Sequence, residues 1–153
     1  MSDADAMAEA VKGCDAVISA LHFNVPADTF VTALKKAGVR RVIFTGGAAS
    51  LFNAEGTMIY DTPGFPDFLK PIVKPAIDFL ADLRGEQELE WTFFSPAMTY
   101  FVGDRTGSFR TGTEQMIFDE NGESKISYAD SAIAMVDELE QGNHIRSRFT
   151  AAY

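Results

Sequence analysis

The sequence predicts an α/β protein whose core is a parallel sheet, and three observations support this. Its 153 residues, of which 46% are hydrophobic and 23% charged, suit one folded domain over 1–153. Several short apolar runs are continuous rather than alternating, which is typical of strands buried on both faces. Amphipathic helix patterns separate these runs, and the order strand, helix, strand indicates right-handed βαβ units.

Helix and strand patterns alternate through the first half of the chain. Ser2 and Asp5 have the spacing of a capping box, and the apolar side chains that follow predict a helix ended by Gly13. In chain order, the next predicted elements are a strand over 16–21, a helix over 28–37 and a strand over 40–45. A loop rich in glycine and proline follows over 48–66, then a helix over 74–84 and a third strand over 91–94.

The last third predicts a small antiparallel element, a helix and a closing strand. Short strands are predicted over 108–110, 115–118 and 125–127. A second capping box, Ser127 with Asp130, opens the helix, and a strand over 146–153 ends the chain. The apolar positions predicted to face inward from this helix are Ala132, Ile133, Val136 and Leu139.

Small residues follow each of the three predicted parallel strands. Ligands of open parallel sheets bind beyond the carboxyl ends of the strands, and small residues let a flat ligand approach the backbone. Glycines after a strand can equally serve only to turn the chain. The candidate binding residues at these ends are Ser19, Ala20 and Leu21, then Thr45, Gly46 and Gly47, then Ser95, Pro96 and Ala97.

The composition limits the class of partner. The formal net charge is −9 and the pI about 4.6, so nucleic acid and anionic membranes would repel the protein. The single cysteine, Cys14, cannot form an internal disulfide, and we expect it to be buried and inert at a helix–strand junction. These features predict a cytoplasmic protein.

Motif searches find no self-sufficient catalytic site. The sequence contains neither G-x-G-x-x-G nor G-x-x-x-x-G-K-[ST], and no G-x-S-x-G surrounds Ser50 or Ser95. The histidine spacing is not that of a metal site, so no metal is predicted. His22 follows the first strand and could contact a ligand or be an ordinary loop histidine, while His144 is expected to be structural.

Read together, several segments resemble the NAD(P)-binding Rossmann proteins of the atypical short-chain dehydrogenase/reductase type. The resemblance is to the NmrA-like and biliverdin/flavin-reductase-like branch, also described as NAD(P)H-binding or NAD-dependent epimerase/dehydratase-like. It extends over nearly the whole chain. The segments that carry it are 10–21, 37–48, 61–66, 91–97, 126–130 and 144–146.

The resemblance implies a Rossmann-like sheet with NAD(P)H in its crevice. Residues 19–21 would lie near the ribose and pyrophosphate, residues 46–48 near the nicotinamide ribose, and residues 95–97 near the carboxamide. The short-chain dehydrogenase pair, a Tyr four residues before a Lys, is missing from this sequence. Any chemistry would therefore be hydride transfer to a substrate that the protein mainly orients.

The resemblance also implies that the family's N-terminal strands and glycine-rich loop are absent. Residues 1–3 would match the end of the family's third strand, so roughly 60–70 residues are missing if each βαβ unit takes about 30. We therefore expect a truncated chain. The strand over 16–21 then becomes an exposed apolar edge, through which a homodimer could form.

Three functional hypotheses follow from the resemblance. The first is an NAD(P)H-dependent oxidoreductase for a small quinone, flavin or carbonyl compound. The second is a non-catalytic NAD(P)-binding redox sensor of the NmrA type. The third is that residues 1–153 alone are inactive and bind NAD(P)H weakly or not at all, because the helix N-terminus that binds the pyrophosphate is missing.

Overall fold

The computed structural model describes residues 3–153, which form a five-stranded sheet, a separate two-stranded sheet and four α-helices. The predicted α/β class is confirmed, because the larger sheet is parallel except at one edge. The strands are β1 (Ala16–Ser19), β2 (Arg41–Thr45), β3 (Glu90–Pro96), β4 (Thr99–Phe101), β5 (Arg110–Gly112), β6 (Lys125–Ser127) and β7 (Ser147–Ala152). The helices are α1 (Ala4–Ala10), α2 (Ala27–Ala37), α3 (Lys70–Leu83) and α4 (Tyr128–Gln141).

The larger sheet has the strand order β1-β2-β3-β7-β5 and is covered on both faces. Successive side chains of a strand point to opposite faces, so β2 contributes to two cores. Val42 and Phe44 pack with Phe93 in a core that α1, α2 and α3 cover. Ile43 points the other way and packs with Phe149 in the core beneath α4. Burial on both faces explains why these strands read as continuous apolar runs.

β1 is one of the two edge strands of the larger sheet, and among the described residues β2 is its only partner. Ile18 in this strand is 39% exposed, and Leu21 just after it is 56% exposed. An apolar groove of about 250 Å³ runs beside the strand, between α1 and α2. The edge therefore carries exposed apolar surface, while assembly through it stays a prediction.

The predicted antiparallel element is present, but its strands differ from the predicted ones. β5 pairs antiparallel with β7, whereas β6 pairs parallel with β4. Residues 115–118 form no strand, and Gln115 makes only an isolated bridge to Phe52. Met116 is buried against Leu51 and Ile59, so this segment packs as a loop over the long connection after β2 instead of forming a hairpin.

The helix starts follow capping chemistry. The predicted cap Ser2 lies outside the described residues; the observed cap of α1 is Asp3, whose Oδ1 accepts from the Asp5 N–H at 2.9 Å. Ser127 caps α4 as predicted. α3 begins four residues earlier than predicted, because Pro71 fits its first turn, where a backbone N–H has no partner. Among residues 3–153, no helix is both long and apolar enough to cross a bilayer.

The predicted inward face of α4 is wrong in part, because Leu139 packs against the core whereas Ala132 and Val136 are exposed. The helix buries Ser131, Ala134 and Glu138, whereas Val136 is 44% exposed. The reason is a buried ion pair, in which Glu138 Oε1 lies 3.1 Å from the Arg41 guanidinium that projects from β2. This pairing turns a polar stripe toward the sheet and leaves apolar side chains at the surface.

The expectation that Cys14 is buried is also wrong. Its side chain is exposed, because the tight turn that joins α1 to β1 lies at the surface. The thiol therefore does not contribute to the packing of the core.

Candidate functional site

A crevice opens at the carboxyl ends of β1 and β2, where the loops after these strands face α3. Its volume is about 240 Å³. The first wall is formed by residues 20–23, and the second by residues 45–47 with 49–50. α3 supplies the third wall through Ile72, Val73, Ala76 and Ile77. Open parallel sheets bind their ligands at these carboxyl ends of the strands.

The crevice brings together candidate residues from two of the three strand ends. Those that line it are Ala20, Leu21, Thr45, Gly46 and Gly47. Ser19 lies beside it, in the groove along β1. Ser95, Pro96 and Ala97 are buried and do not line the crevice. A role for these residues in cofactor binding stays a prediction.

The two glycines after β2 have different structural roles. A Cβ on Gly46 would lie well inside 3.0 Å of two ring atoms of Phe93, so this position must be glycine for the core to pack. A Cβ on Gly47 would meet no atom within 4 Å. Gly46 therefore serves packing, and Gly47 leaves backbone open at the crevice.

Three side chains with hydrogen-bonding groups line the crevice. Thr45 donates its hydroxyl to Sδ of Met135 at 3.3 Å, on the face of the sheet that α4 covers. His22 is exposed at the rim. Ser50 is only 5% exposed and lies in the short 3-10 turn Ala48–Ser50. Ser50 is thus the buried polar side chain of the site.

Ser50 is held by a buried arginine from β7. Arg148 is 2% exposed, and its Nη1 donates to the carbonyl oxygen of Ser50 at 2.7 Å and to Ser50 Oγ at 2.9 Å. Its Nη2 donates to the carboxylate of Glu114, which also accepts from Arg84 at 3.0 Å. Burial lowers the pKa of the Arg148 guanidinium while Glu114 opposes this shift, and an arginine remains charged in proteins.

Arg148 and Glu114 are not among the site residues that the sequence predicts. A signal for Arg148 was present, because it is the one charged residue of β7, and a charged residue in a buried strand needs a buried partner. Glu114 had no such signal, since it lies in a polar stretch and reaches Arg148 only through the fold.

A second buried network fixes the loop after β4. The carboxylate of Asp130, at the start of α4, accepts from the N–H groups of Thr106 at 3.0 Å and Gly107 at 2.8 Å. It also accepts from the hydroxyl of Tyr153 at 2.7 Å. Burial alone would raise the pKa of Asp130, but these hydrogen bonds outweigh it and hold the pKa below its ordinary value.

His144 belongs to a cluster at the other end of the strands, away from the crevice. Its Nδ1 lies 2.7 Å from Oε2 of Glu138, and its ring stacks on Phe149. It sits before β7, at the amino end of this parallel strand, so it is distant from the crevice. Within the described part of the chain, no group of three or more His, Cys, Asp or Glu residues could hold a metal ion.

Comparison with known proteins agrees with this architecture. Residues 1–142 match the model of a family described as NAD(P)H-binding. The uncharacterized protein YwnB of Bacillus subtilis (strain 168) is 40% identical over 154 aligned residues, which are 94% of this chain and 72% of YwnB.

Two solved structures are similar along nearly the whole chain. A candidate exported protein from Burkholderia pseudomallei is 45% identical with a TM-score of 0.90, over 99% of this chain and 77% of that one. A candidate NADH-flavin reductase from Streptococcus pneumoniae TIGR4 is 38% identical with a TM-score of 0.81, over 95% and 74% respectively. The fold described above is thus that of its solved relatives.

Proposed function

The chain belongs to the NAD(P)H-binding family, and from that premise we propose that it is an NAD(P)H-dependent oxidoreductase for a small quinone, flavin or carbonyl compound. The observation that carries the proposal is the crevice at the ends of β1 and β2. The described residues that line it offer apolar side chains and open backbone, without a carboxylate, lysine or arginine. A flat, uncharged ring suits such walls. The similarity to the Streptococcus pneumoniae protein, named as a candidate NADH-flavin reductase, supports the same substrate class.

The crevice suits the nicotinamide end of NAD(P)H better than its phosphates. Gly47 leaves its backbone open, and Leu21 and Ile72 offer apolar surface that is 56% and 68% exposed. A pyrophosphate needs backbone N–H groups of a glycine-rich turn or cationic side chains, and the lining residues include neither a lysine nor an arginine. Residues 20–23 and 45–47 would hold the nicotinamide end. We therefore propose that residues 1–153 alone bind NAD(P)H weakly and have little activity.

The chain's own part in the reaction is positioning. NAD(P)H, when bound, supplies a hydride. The apolar side chains of α3 and of the loop after β1 exclude water and hold a flat acceptor against the open backbone at Gly47. Because the sequence has no Tyr followed four residues later by Lys, this positioning carries the rate enhancement rather than that pair.

A second candidate function is a non-catalytic NAD(P)-binding redox sensor of the NmrA type. The missing Tyr/Lys pair favours it, since a sensor needs the binding site but not an acid that protonates a substrate. A sensor would bind NADPH and NADP⁺ with different affinities and would not oxidise NADPH in the presence of any acceptor. An oxidoreductase would oxidise NADPH when an acceptor is added.

The decisive experiment is an NADPH oxidation assay with FMN, menadione and an aldehyde as acceptors, together with NADPH titration by fluorescence. We expect measurable oxidation with the flavin or the quinone at high NADPH concentration, and weak NADPH binding. Gly47→Ala should reduce the rate, because its methyl group enters the open crevice. Gly64→Ala is the matched control, since its Cβ also meets no atom within 4 Å but Gly64 lies in a loop that does not line the crevice. Absence of turnover with all three acceptors would contradict the oxidoreductase proposal, and micromolar NADPH affinity would contradict weak binding.

We further propose that the protein acts in the cytoplasm. The support is its cysteine usage, because the only cysteine is free and exposed and stabilises the fold through no disulfide. The description of the Burkholderia pseudomallei relative as a candidate exported protein points the other way. Fractionation of cells that express the natural gene distinguishes the two locations.

A further inference from the structure

We propose that Ser50 is the hydrogen-bond donor for a carbonyl oxygen of the bound acceptor, and that Arg148 is the positioning residue that makes it a donor. This inference rests on the proposed function, because it assigns a contact within the same crevice. It adds a specificity-determining contact that neither the sequence motifs nor the family description supplies.

The hydroxyl of Ser50 has a hydrogen-bond donor available for a ligand. A hydroxyl has one donor and two acceptor positions, whereas a guanidinium only donates. Arg148 Nη1 donates to Ser50 Oγ at 2.9 Å, so the contact occupies an acceptor position of the hydroxyl. In the hydrogen bonds among residues 3–153, Ser50 Oγ takes part only as this acceptor. Its O–H is therefore available to donate.

The second step is the rigidity of the pair. Arg148 also donates to the carbonyl oxygen of Ser50 at 2.7 Å, which fixes the backbone as well as the side chain. The guanidinium is itself held by Glu114, and Glu114 by Arg84. Arg148 and Ser50 are 2% and 5% exposed, so water competes little for these contacts. A donor that is fixed before the ligand arrives needs no reorganisation when it binds.

The third step is the lack of a competing buried donor. Of the other polar side chains that line the crevice, Thr45 donates to Met135 and His22 is exposed at the rim. The remaining lining side chains are apolar or absent. Among the side chains that line the crevice, Ser50 is therefore the buried donor available to the carbonyl oxygen of an acceptor, and an unpaired buried oxygen is costly.

The contact has a defined place in the reaction. Hydride addition gives a quinone two electrons and one hydrogen, which leaves a negative charge on a carbonyl oxygen. Ser50 donates a hydrogen bond to that oxygen and keeps its own proton, and water supplies the proton that completes the hydroquinone once the product leaves the crevice. The positive charge of Arg148, behind Ser50, strengthens the donor as the negative charge develops.

The test compares two ligands of similar shape by equilibrium dialysis against the 153-residue chain, with no NADPH present. Menadione has carbonyl oxygens, and 2-methylnaphthalene has none. We expect Ser50→Ala to weaken menadione binding about fivefold to tenfold, as for one lost hydrogen bond. Binding of 2-methylnaphthalene should be unchanged. Ser108→Ala is the matched control, since it removes the hydroxyl of an exposed serine that does not line the crevice.

Arg148→Lys and Arg148→Met extend the test to the positioning residue. Arg148→Met should weaken menadione binding as Ser50→Ala does. Arg148→Lys should weaken it less, if the ammonium group still reaches Ser50. An equal loss for both ligands, in any of the variants, would mean that the residue only supports the fold and would overturn its assignment.

The outcomes separate this inference from the function on which it rests. If wild type binds menadione and Ser50→Ala binds it equally well, the donor assignment is wrong while the oxidoreductase proposal stands. If wild type binds menadione through Ser50 but shows no NADPH oxidation, the donor stands and the oxidoreductase proposal is wrong. If wild type binds neither ligand, the donor assignment is wrong, and the oxidoreductase proposal is decided by the turnover assay with all three acceptors.

Discussion

Substitution of Gly46 by alanine tests whether this glycine is required for packing. The added Cβ would lie well inside 3.0 Å of two ring atoms of Phe93 and 3.1 Å from a third. Phe93 is 0% exposed, and its ring also contacts Phe23, with 5.7 Å between the centroids, so the ring has no free space to enter. Overpacking of this kind costs about 1–3 kcal/mol.

The assay is thermal and urea unfolding followed by circular dichroism. For a protein of this size, each kcal/mol lowers the unfolding midpoint by about 2–4 °C. Gly47→Ala is the matched control, because its Cβ meets no atom within 4 Å and its φ of −143° is ordinary extended backbone. We expect Gly47→Ala to change stability by less than about 0.5 kcal/mol, as for a surface substitution.

The two variants should therefore affect different properties, stability in one and ligand binding in the other. Gly46→Ala should lose stability, whereas Gly47→Ala should keep stability and lose ligand binding. The packing argument is refuted if Gly46→Ala unfolds at the same temperature and urea concentration as wild type. It is also refuted if Gly47→Ala is the more destabilised of the two.

Three further predictions concern the polar networks and the free edge. Hydrogen bonds hold the pKa of Asp130 below its ordinary value, so the ionised carboxylate stabilises the fold. This stabilisation is fully present above the pKa of the unfolded chain, about 3.9, and is lost as the pH falls through the lower pKa of the folded state. The free energy of unfolding of wild type should thus fall more steeply than that of Asp130→Asn as the pH drops below about 4. Parallel pH curves for wild type and Asp130→Asn would contradict this pH dependence. Tyr153→Phe, which removes one hydrogen bond to Asp130, should cost about 1.5–3 kcal/mol at neutral pH. Glu138→Ala should cost about 3–5 kcal/mol in urea unfolding, because it leaves the buried guanidinium of Arg41 unpaired, and a loss below about 1 kcal/mol would show that the pair is dispensable. Wild type should self-associate through β1 in sedimentation at high concentration, and Ile18→Lys should abolish this; a monomeric wild type would count against the homodimer.

The sheet was predictable because burial on both faces leaves a simple pattern. β2 and β3 are flanked by strands and covered by helices, so their central positions favour apolar residues and read as nearly continuous apolar runs. The cap of α4 was predictable for a local reason, since Ser127 Oγ accepts from the N–H group of Asp130, which has no partner within the helix.

The buried polar pairs could not be predicted, because each member becomes favourable inside only when its distant partner is present. Glu138 alone reads as a solvent-facing charge, and only Arg41, across the core, makes its burial possible. This pair turns α4 so that Val136, predicted to face inward, is exposed. In the crevice, the strand ends were predictable from small residues, but the position of Ser50 depends on Arg148, far along the chain.

The position of β7 determines when the sheet can be completed during synthesis. This strand is made last among the described elements, yet it lies between β3 and β5. Within the larger sheet β5 pairs only with β7, so residues 110–112 wait unpaired on the ribosome until residues 147–152 emerge. Arg148 arrives with the same strand, and Ser50, made about a hundred residues earlier, is held only then. The fold of the crevice is therefore finished by the last of the described strands to be translated, and termination before β7 would leave β3 with an open edge.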